Sequence, residues 1–331
     1  MKKSKIGIAF LGGGLVAELH ARAVKSCPEA RFAGVYDLKP SRARELARRF
    51  RGRAYKTAEE LLGDPDVDAV HVLTSPEAHV SSTIAALNAG KHVLLEKPVA
   101  DRAADIRRMV RCAEKNDRLL VPAHNYIYVP SVRRARRLIT KGNLGKISAF
   151  WMMYNLYHGE DLIRKYGSIY RVVCVHHAYS LLYLLGRPVR VMSMGAPGVH
   201  CKKEKAPSTV SITCEMPDGA IANLWANFAS NDITNDPWSV LYKVLGTKGG
   251  VCYSWNEAQF KDDTGPGFGM PGYVDAFAGE VDYFVNQCIL RGNPPLSSMQ
   301  DALDALRIVE AAERSAKSKS GMVEMDYPAA I

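Results

Sequence analysis

The segment IGIAFLGGGLVAELHARAV, residues 6–24, passes from an apolar stretch through three glycines directly into a helical pattern. Gly12, Gly14 and Ala17 match the spacing G-x-G-x-x-A. In a strand–turn–helix unit, the first glycine permits a tight turn and the second lets backbone approach a pyrophosphate. The third, small residue lets the helix pack closely on the strand. Free N–H groups at the helix N-terminus favour phosphate there. The segment therefore predicts a dinucleotide site, with an ordinary structural turn as the alternative.

The first 124 residues alternate between strand-like and helix-like segments. Thr57 and Glu60 form a capping box for one short helix. Strands are predicted at 6–11, 31–37, 69–73, 92–96 and 118–123, and further helices at about 15–26, 41–50, 77–89 and 102–116. Strands that alternate with helices run parallel. Residues 1–124 are therefore predicted to form a doubly wound α/β Rossmann domain.

The pattern changes after residue 124. Longer alternating strands follow at 146–155, 209–216, 220–229 and 239–246, with turns at 217–219 and 246–250 and helices at 131–141, 171–185, 274–290 and 299–317. Residues 125–331 are predicted to form an α+β domain with a large open, mainly antiparallel sheet, and the 299–317 helix is expected to pack back on the first domain. Strand 220–229 is apolar on both faces, so we expect a partner subunit to cover one sheet face in a homodimer or homotetramer.

Composition excludes several classes of protein. No apolar run reaches the 18 or so residues of a membrane helix. The net charge of +10 raises the question of nucleic acid, but the basic stretches 107–118 and 133–138 surround apolar residues at helical spacing and indicate solvated helix faces. The 7 cysteines contain no C-x-x-C pair, which favours reduced thiols and a cytoplasmic protein.

An acidic residue after the second strand selects the cofactor. Asp37 follows Gly12 by 25 positions, where a carboxylate accepts hydrogen bonds from an adenosine ribose and repels a 2′-phosphate. NAD is therefore favoured over NADP. Lys39 and Arg42 lie close enough in sequence to weaken that preference.

Two further strand ends carry polar residues. Ligands of open parallel sheets bind beyond the carboxyl ends of the strands. Glu96 and Lys97 follow the fifth strand, where the lysine could stabilise a substrate alkoxide during hydride transfer. The segment 73–79 ends another strand, and its hydroxyls and backbone could touch the ribose and nicotinamide. A structural role for His79 stays equally open.

These motifs, together with His20 and the segments 124–147 and 175–191, resemble the Gfo/Idh/MocA family, named for glucose-fructose oxidoreductase and inositol dehydrogenase. The resemblance covers almost the whole chain, and Glu96-Lys97-Pro98 is its most specific part. It implies NAD(P)-dependent oxidation or reduction at a sugar or polyol carbon. The cofactor-binding residues it implies are Gly12, Gly14, Leu15, Val16, Asp37, Thr74, Ser75, Pro76, His79, Glu96, Lys97 and Asn125.

The resemblance also assigns two catalytic residues. Lys97 matches the active-site lysine, and the position ten before Gly186 matches the catalytic histidine at His176, with His177 as the alternative. Imidazole suits transfer of a hydroxyl proton near neutral pH. A core role for a histidine in an apolar helix is the alternative.

The chain departs from the family pattern beside this histidine. Val172 stands where the family usually has an acidic or amide side chain, and Tyr179 stands where it usually has an aspartate. One helical turn would place Val172 on the face of His176. Substrate contacts are expected from Tyr126, Tyr154, Tyr157, His158, Asp161, Arg164, Arg171, His177 and Tyr179, and no metal is expected. A catalytically altered NAD-binding sensor, or an enzyme that retains and recycles its NAD, are the alternative functions.

Overall fold

The computed structural model describes residues 5–157, 168–197, 207–229, 240–254, 271–318 and 321–327. The chain divides into two compact units. The first contains the described residues up to Tyr128 together with Val274–Leu303, and the second contains those in Val129–Tyr273 and from Asp304 onward. Residues Val274–Leu303 thus belong to the first unit, an interleaving that a linear division near residue 124 does not anticipate.

The first unit contains a six-stranded parallel sheet in the order β3-β2-β1-β4-β5-β6. Its strands are β1 (Ile6–Leu11), β2 (Ala30–Tyr36), β3 (Arg53–Ala54), β4 (Ala69–Val72), β5 (His92–Leu95) and β6 (Leu120–Pro122). This is the strand order of a dinucleotide-binding doubly wound fold. The predicted parallel α/β sheet is confirmed, and the two-residue β3 is an addition to it.

Five helices follow the strands of this sheet. They are α1 (Ala17–Ser26), α2 (Pro40–Phe50), α3 (Ala58–Gly63), α4 (Pro76–Asn88) and α5 (Ala103–Lys115). The predicted capping of α3 is confirmed, because the Glu60 N–H donates to Thr57 Oγ1 at 3.1 Å. The Glu60 carboxylate accepts a hydrogen bond from the N–H of Lys56 at 2.8 Å.

The second unit contains a seven-stranded sheet in the order β12-β11-β7-β10-β9-β8-β13. Its strands are β7 (Ile147–Asn155), β8 (Arg190–Pro197), β9 (Pro207–Glu215), β10 (Ile221–Asn227), β11 (Val240–Gly246), β12 (Gly249–Ser254) and β13 (Met322–Glu324). β7 and β10 pair in parallel, whereas the other described neighbours pair antiparallel. The mainly antiparallel sheet is therefore confirmed. Sequence reasoning missed β8, β12 and β13.

Four helices complete the described elements: α6 (Pro130–Thr140), α7 (Val175–Leu185), α8 (Pro271–Tyr283) and α9 (Met299–Lys317). The predicted helices over about 171–185 and 274–290 are present, and each includes a π-helical segment. A π-helical turn over Tyr170–Cys174 precedes α7, and another over Phe284–Ile289 follows α8. Each π turn closes i→i+5 hydrogen bonds, a change of phase that a 3.6-residue period cannot reveal. No helix among the described residues is long and apolar enough to cross a membrane.

Alternating burial positions the second sheet. Along β9, Ser208, Val210, Ile212 and Cys214 are buried, and the residues between them are partly exposed. The period of two places one face of the strand in the core of the unit.

The α3 cap generates a stability prediction. Replacing Thr57 by Ala removes the acceptor of the Glu60 N–H and should cost about 1 kcal/mol of local stability. Native-state hydrogen exchange of the α3 amides would measure the loss. Thr57→Ser keeps the hydroxyl and should retain protection, and equal exchange in the two variants would contradict the cap.

Candidate functional site

The carboxyl ends of the first-unit strands meet at one edge of the sheet. Backbone hydrogen bonds continue between neighbouring chain segments past the ends of the strands. The Gly12 N–H donates to the Tyr36 carbonyl oxygen at 2.8 Å, and the Glu96 N–H donates to that of Val72 at 3.1 Å. The Ala123 N–H donates to the Leu95 carbonyl oxygen at 2.7 Å. The loops after β1, β2, β4, β5 and β6 therefore share this edge. It is the side on which open parallel sheets bind ligands.

Gly12 makes the turn after β1 possible. Its φ is +103°, and a Cβ built there would lie 2.5 Å from the carbonyl oxygen of Leu73. An L side chain would be strained by the dihedral angle and would collide with backbone that cannot move independently. Glycine is required at this position by the fold itself.

Gly14 differs from Gly12. A Cβ at Gly14 would meet no atom within 4 Å, so the backbone borders open space. Helix α1 begins at Ala17, and no side chain caps its first turn. Leu15, 55% exposed, and Val16 occupy the segment between the turn and the helix. Uncapped N–H groups beside open backbone are suited to binding an anion.

Asp37 is held over the glycine turn. Its Oδ2 accepts a hydrogen bond from the N–H of Gly13 at 2.7 Å, and its Oδ1 accepts one from the N–H of Lys39 at 2.7 Å. Both bonds come from backbone, so they fix the carboxylate at the end of β2. An ionised carboxylate keeps further acceptor capacity for ribose hydroxyls.

His79 connects two of the loops. Its Nδ1 lies 2.8 Å from the carbonyl oxygen of Pro98, and its Nε2 lies 3.1 Å from that of Thr74. The side chain is buried, and burial lowers its pKa. A neutral ring donates to one carbonyl at a time. This arrangement makes His79 a tie between the loop after β4 and the loop after β5.

The Thr74 hydroxyl is a buried polar group without a hydrogen-bond partner among the described residues. Its Oγ1 is buried and makes no hydrogen bond within the described part of the chain. An unsatisfied buried hydroxyl costs free energy until a ligand or water pairs with it. Ser75, which is exposed, and Pro76, which begins α4, follow it in the same loop.

A buried carboxylate lies directly before Lys97. Glu96 Oε1 is 3.1 Å from His20 Nε2, and Glu96 Oε2 accepts a hydrogen bond from the Lys97 N–H at 2.9 Å. Burial raises the pKa of Glu96, but the His20 hydrogen bond and the Lys97 charge outweigh it and lower the pKa overall. Burial lowers the pKa of the partly buried Lys97, and the Glu96 charge offsets part of that shift. An amine with a lowered pKa is suited to proton exchange.

An interior polar cluster behind this pair was missed by sequence reasoning. Glu280 on α8 is fully buried, and neither carboxyl oxygen has a partner among the described residues. Burial and the charge of Glu96 raise its pKa well above the ordinary value for a carboxyl group. Phe277 and Phe284, on the same helical face, pack against His20 and His71 with ring centroids 4.9 Å and 6.1 Å apart. An acidic residue between two aromatic residues at helical spacing is the signal that could have revealed Glu280.

Asn125 and Tyr126 lie in a 3₁₀ turn over Asn125–Tyr128 after β6. Both side chains are buried, at 3% and 2% exposure. The loop after β6 thus contributes closely packed side chains to the edge where the other loops end.

The first unit fits a dinucleotide. Gly14 leaves room for a diphosphate, Asp37 presents acceptors for a ribose, and the Thr74 hydroxyl awaits a partner. Within the residues that the structure describes, no group of three or more His, Cys, Asp or Glu side chains could hold a metal ion.

The second unit contains the two predicted histidines on α7. His176 Nδ1 lies 2.5 Å from the hydroxyl oxygen of Tyr179. His177 is fully buried, burial lowers its pKa to about 3, and neither ring nitrogen has a partner in the described ranges. His177 is therefore a neutral core residue, whereas His176 has a defined polar partner.

The predicted substrate residues of this unit are placed differently from one another. Tyr154 is buried near the end of β7, and Tyr157 is 40% exposed. Arg171 pairs with Glu313 at 2.9 Å, so its guanidinium is bound within the unit. Predicted residues that lie outside the described residues are His158, Asp161 and Arg164.

The spacing between Val172 and His176 crosses a change of helix type. The π-helical turn over Tyr170–Cys174 ends just before α7, so a spacing of four residues no longer corresponds to one regular turn. The side chain of Val172 is partly exposed.

Family models match both halves of the chain. The model described as "Oxidoreductase family, NAD-binding Rossmann fold" matches residues 6–124, and the "GFO/IDH/MocA C-terminal domain" matches residues 132–252. The chain is 26% identical over 332 residues to myo-inositol 2-dehydrogenase of Thermotoga maritima, covering 94% of this chain and 96% of that protein. It is 25% identical to inositol 2-dehydrogenase of Rhizobium meliloti, covering 95% and 98%.

Among solved structures, a levoglucosan dehydrogenase in complex with NADH and levoglucosan has a similar fold. The TM-score is 0.81 at 20% identity, with 97% of this chain and 99% of that chain covered. The strand order of the first sheet and the glycine turn agree with the family model of an NAD-binding Rossmann fold. The second sheet lies in the part of the chain that the C-terminal domain model matches. The chain belongs to the Gfo/Idh/MocA family of oxidoreductases, and its first domain is an NAD-binding Rossmann fold.

Proposed function

We propose that this oxidoreductase transfers hydride between NAD and a ring hydroxyl or ketone of a sugar, glycoside or cyclitol. The observation that carries the proposal is Lys97, a partly buried amine of lowered pKa beside the ionised Glu96 at the dinucleotide edge. Relatives named as inositol dehydrogenases support the substrate class.

NAD, when bound, supplies the hydride acceptor or donor. Lys97 donates a hydrogen bond to the substrate oxygen and stabilises the negative charge that grows there as the C–H bond breaks. His176 takes the hydroxyl proton in oxidation and returns it in reduction.

We assign the cofactor to the loops at the strand ends. Gly12, Gly14, Leu15 and Val16 receive the diphosphate, and Asp37 binds the adenosine ribose. The remaining proposed contacts are Thr74, Ser75, Pro76, Glu96, Lys97 and Asn125, while His79 holds two of these loops together. The backbone-held carboxylate of Asp37 favours NAD over NADP.

Two other functions remain outcomes of the assay. A panel of cyclitols and sugars, including myo-inositol and levoglucosan, is incubated with NAD while reduced nicotinamide is followed by absorbance. Formation of NADH supports the dehydrogenase. Silence with bound NAD would point to a sensor, a function that the matched relatives do not support, and reduced cofactor retained after desalting would identify an enzyme that recycles its NAD.

Lys97→Met tests the proposed chemistry. Removing the amine should lower turnover at least about a hundredfold, the scale of losing one hydrogen-bond donor to a developing oxyanion, with NAD affinity nearly unchanged. Lys115→Met, an exposed lysine at the end of α5, is the matched control and should behave as wild type. Normal turnover of Lys97→Met would overturn the assignment.

Gly14→Ala tests the proposed phosphate site. A methyl group there meets open space, so thermal stability should be unchanged while NAD affinity falls about tenfold or more, as measured by titration calorimetry. Gly63→Ala, which also meets open space but lies at the end of α3, should leave both properties unchanged. Full NAD affinity in Gly14→Ala would place the diphosphate elsewhere.

We also propose that the open face of the second sheet binds a second copy of the chain. Across neighbouring strands, Met194, Ser211, Trp225 and Met153 are in register on this face. Met194 is 71% exposed, and Ile221 on β10 is exposed as well. A broad face with exposed apolar side chains is typical of an interaction surface.

The molecular mass of the protein, measured by light scattering during size-exclusion chromatography, tests this interface. The wild type is expected to have the mass of a dimer or tetramer, and the double variant Met194→Glu and Ile221→Glu the mass of a monomer, because two charges would be buried. Leu290→Glu alters an exposed leucine of the first unit and should keep the wild-type mass. A monomeric wild type would refute the proposal.

A reducing cytoplasmic location is proposed from the thiols. The six cysteines among the described residues are free, and Cys201 lies outside them. Unpaired thiols are usual in reducing compartments.

A further inference from the structure

We propose that Tyr179 is the positioning residue that orients the His176 ring for proton transfer. This inference rests on the proposed function of His176 and extends it to a residue that sequence reasoning placed among substrate contacts. Tyr179 stands at a position where the family resemblance leads one to expect a carboxylate. The structure assigns the phenol hydroxyl to the histidine ring.

The geometry between the two side chains is specific. The Tyr179 hydroxyl oxygen lies 2.5 Å from His176 Nδ1. The ring centroids are 5.4 Å apart with an interplanar angle of 65°, an edge-to-face arrangement. Residues three apart in a helix are neighbours, so α7 itself brings the two side chains together.

Burial holds the phenol in place. Tyr179 is 1% exposed and His176 is 4% exposed. A tyrosine ring with few accessible rotamers positions its hydroxyl with little remaining freedom. The hydrogen bond therefore restrains the imidazole plane through a side chain that is itself fixed by packing.

The adjacent histidine supports the assignment by contrast. His177 is fully buried, and its two ring nitrogens have no partner in the described part of the chain. A histidine with one nitrogen held by a second group has a defined orientation and tautomer. Of the two histidines on α7, His176 has the contact that a base requires.

The proposed role requires His176 to be the donor in this contact, which leaves Nε2 as the nitrogen that reacts. When the neutral ring donates its Nδ1–H to the Tyr179 oxygen, the lone pair is on Nε2. In oxidation the substrate hydroxyl proton would move to Nε2, and the carbon that carries this hydroxyl would lose a hydride to bound NAD. The imidazolium keeps its Nδ1–H on Tyr179 and afterwards loses the Nε2 proton to water. The Tyr179 phenol neither gains nor loses a proton in this step. No buried phenolate is therefore formed on α7.

Nitrogen NMR of the histidine rings tests the inference without any substrate. In protein labelled with ¹⁵N-histidine, the His176 signals are assigned as those missing from His176→Ala. We expect a single Nδ1–H tautomer in the wild type and a mixture of tautomers in Tyr179→Phe. Tyr170→Phe, which removes another buried hydroxyl, one that lies 2.8 Å from Ser193 Oγ, is the matched control and should keep the wild-type tautomer.

Steady-state kinetics on the substrate found by the panel completes the test. Tyr179→Phe should lower kcat about tenfold with KM nearly unchanged, since the tyrosine acts through the histidine and not on bound substrate. An Nε2–H tautomer in the wild type, or an unchanged tautomer and kcat in Tyr179→Phe, would overturn the inference. If His176→Ala itself turns over normally, the proposed function fails instead, so the two failures are distinguishable.

Discussion

The close approach of Gly12 to the Leu73 carbonyl is the constraint on which the candidate site depends. A Cβ at Gly12 would stand 2.5 Å from that oxygen, so the turn after β1 can lie against the end of β4 only without a side chain. With the two central strands ending together, the loops after β2 and β5 fall on the same edge. Asp37 then reaches the glycine turn, and His79 ties the Thr74 carbonyl to the Lys97-Pro98 segment.

Electrostatics in the first unit separates two buried carboxyl groups. Glu96 is paired with His20 and the Lys97 backbone, and its pKa is lowered, whereas Glu280 has no partner among the described residues and its pKa is raised. Two ionised carboxylates this close in a dry interior would repel strongly. The charge of Glu96 raises the pKa of Glu280 and also offsets part of the lowering that burial imposes on the pKa of Lys97.

In the second unit, the geometry of α7 decides which side chains contact the two histidines. A π-helical turn over Tyr170–Cys174 precedes α7, so the number of residues per turn changes where α7 begins. On α7 the three-residue spacing joins Tyr179 to His176, and packing alone surrounds His177. A neutral phenol can be buried at lower cost than a carboxylate. Tyr179, which departs from the family pattern, thus still forms an ordered polar contact with His176.

The sequence by itself determined the parallel sheet, the mainly antiparallel second sheet, the glycine turn, the α3 cap and the placing of Asp37 and Glu96-Lys97 at strand ends. These features follow from local periodicity and turn chemistry, which residues carry wherever they stand. Only the tertiary structure decided that Glu280 lies near Glu96, that Val274–Leu303 joins the first unit, that π turns interrupt two helices and that Tyr179 contacts His176. Burial and pairing across long sequence separations decide such features, and no local pattern records which distant groups will become neighbours in a dry interior.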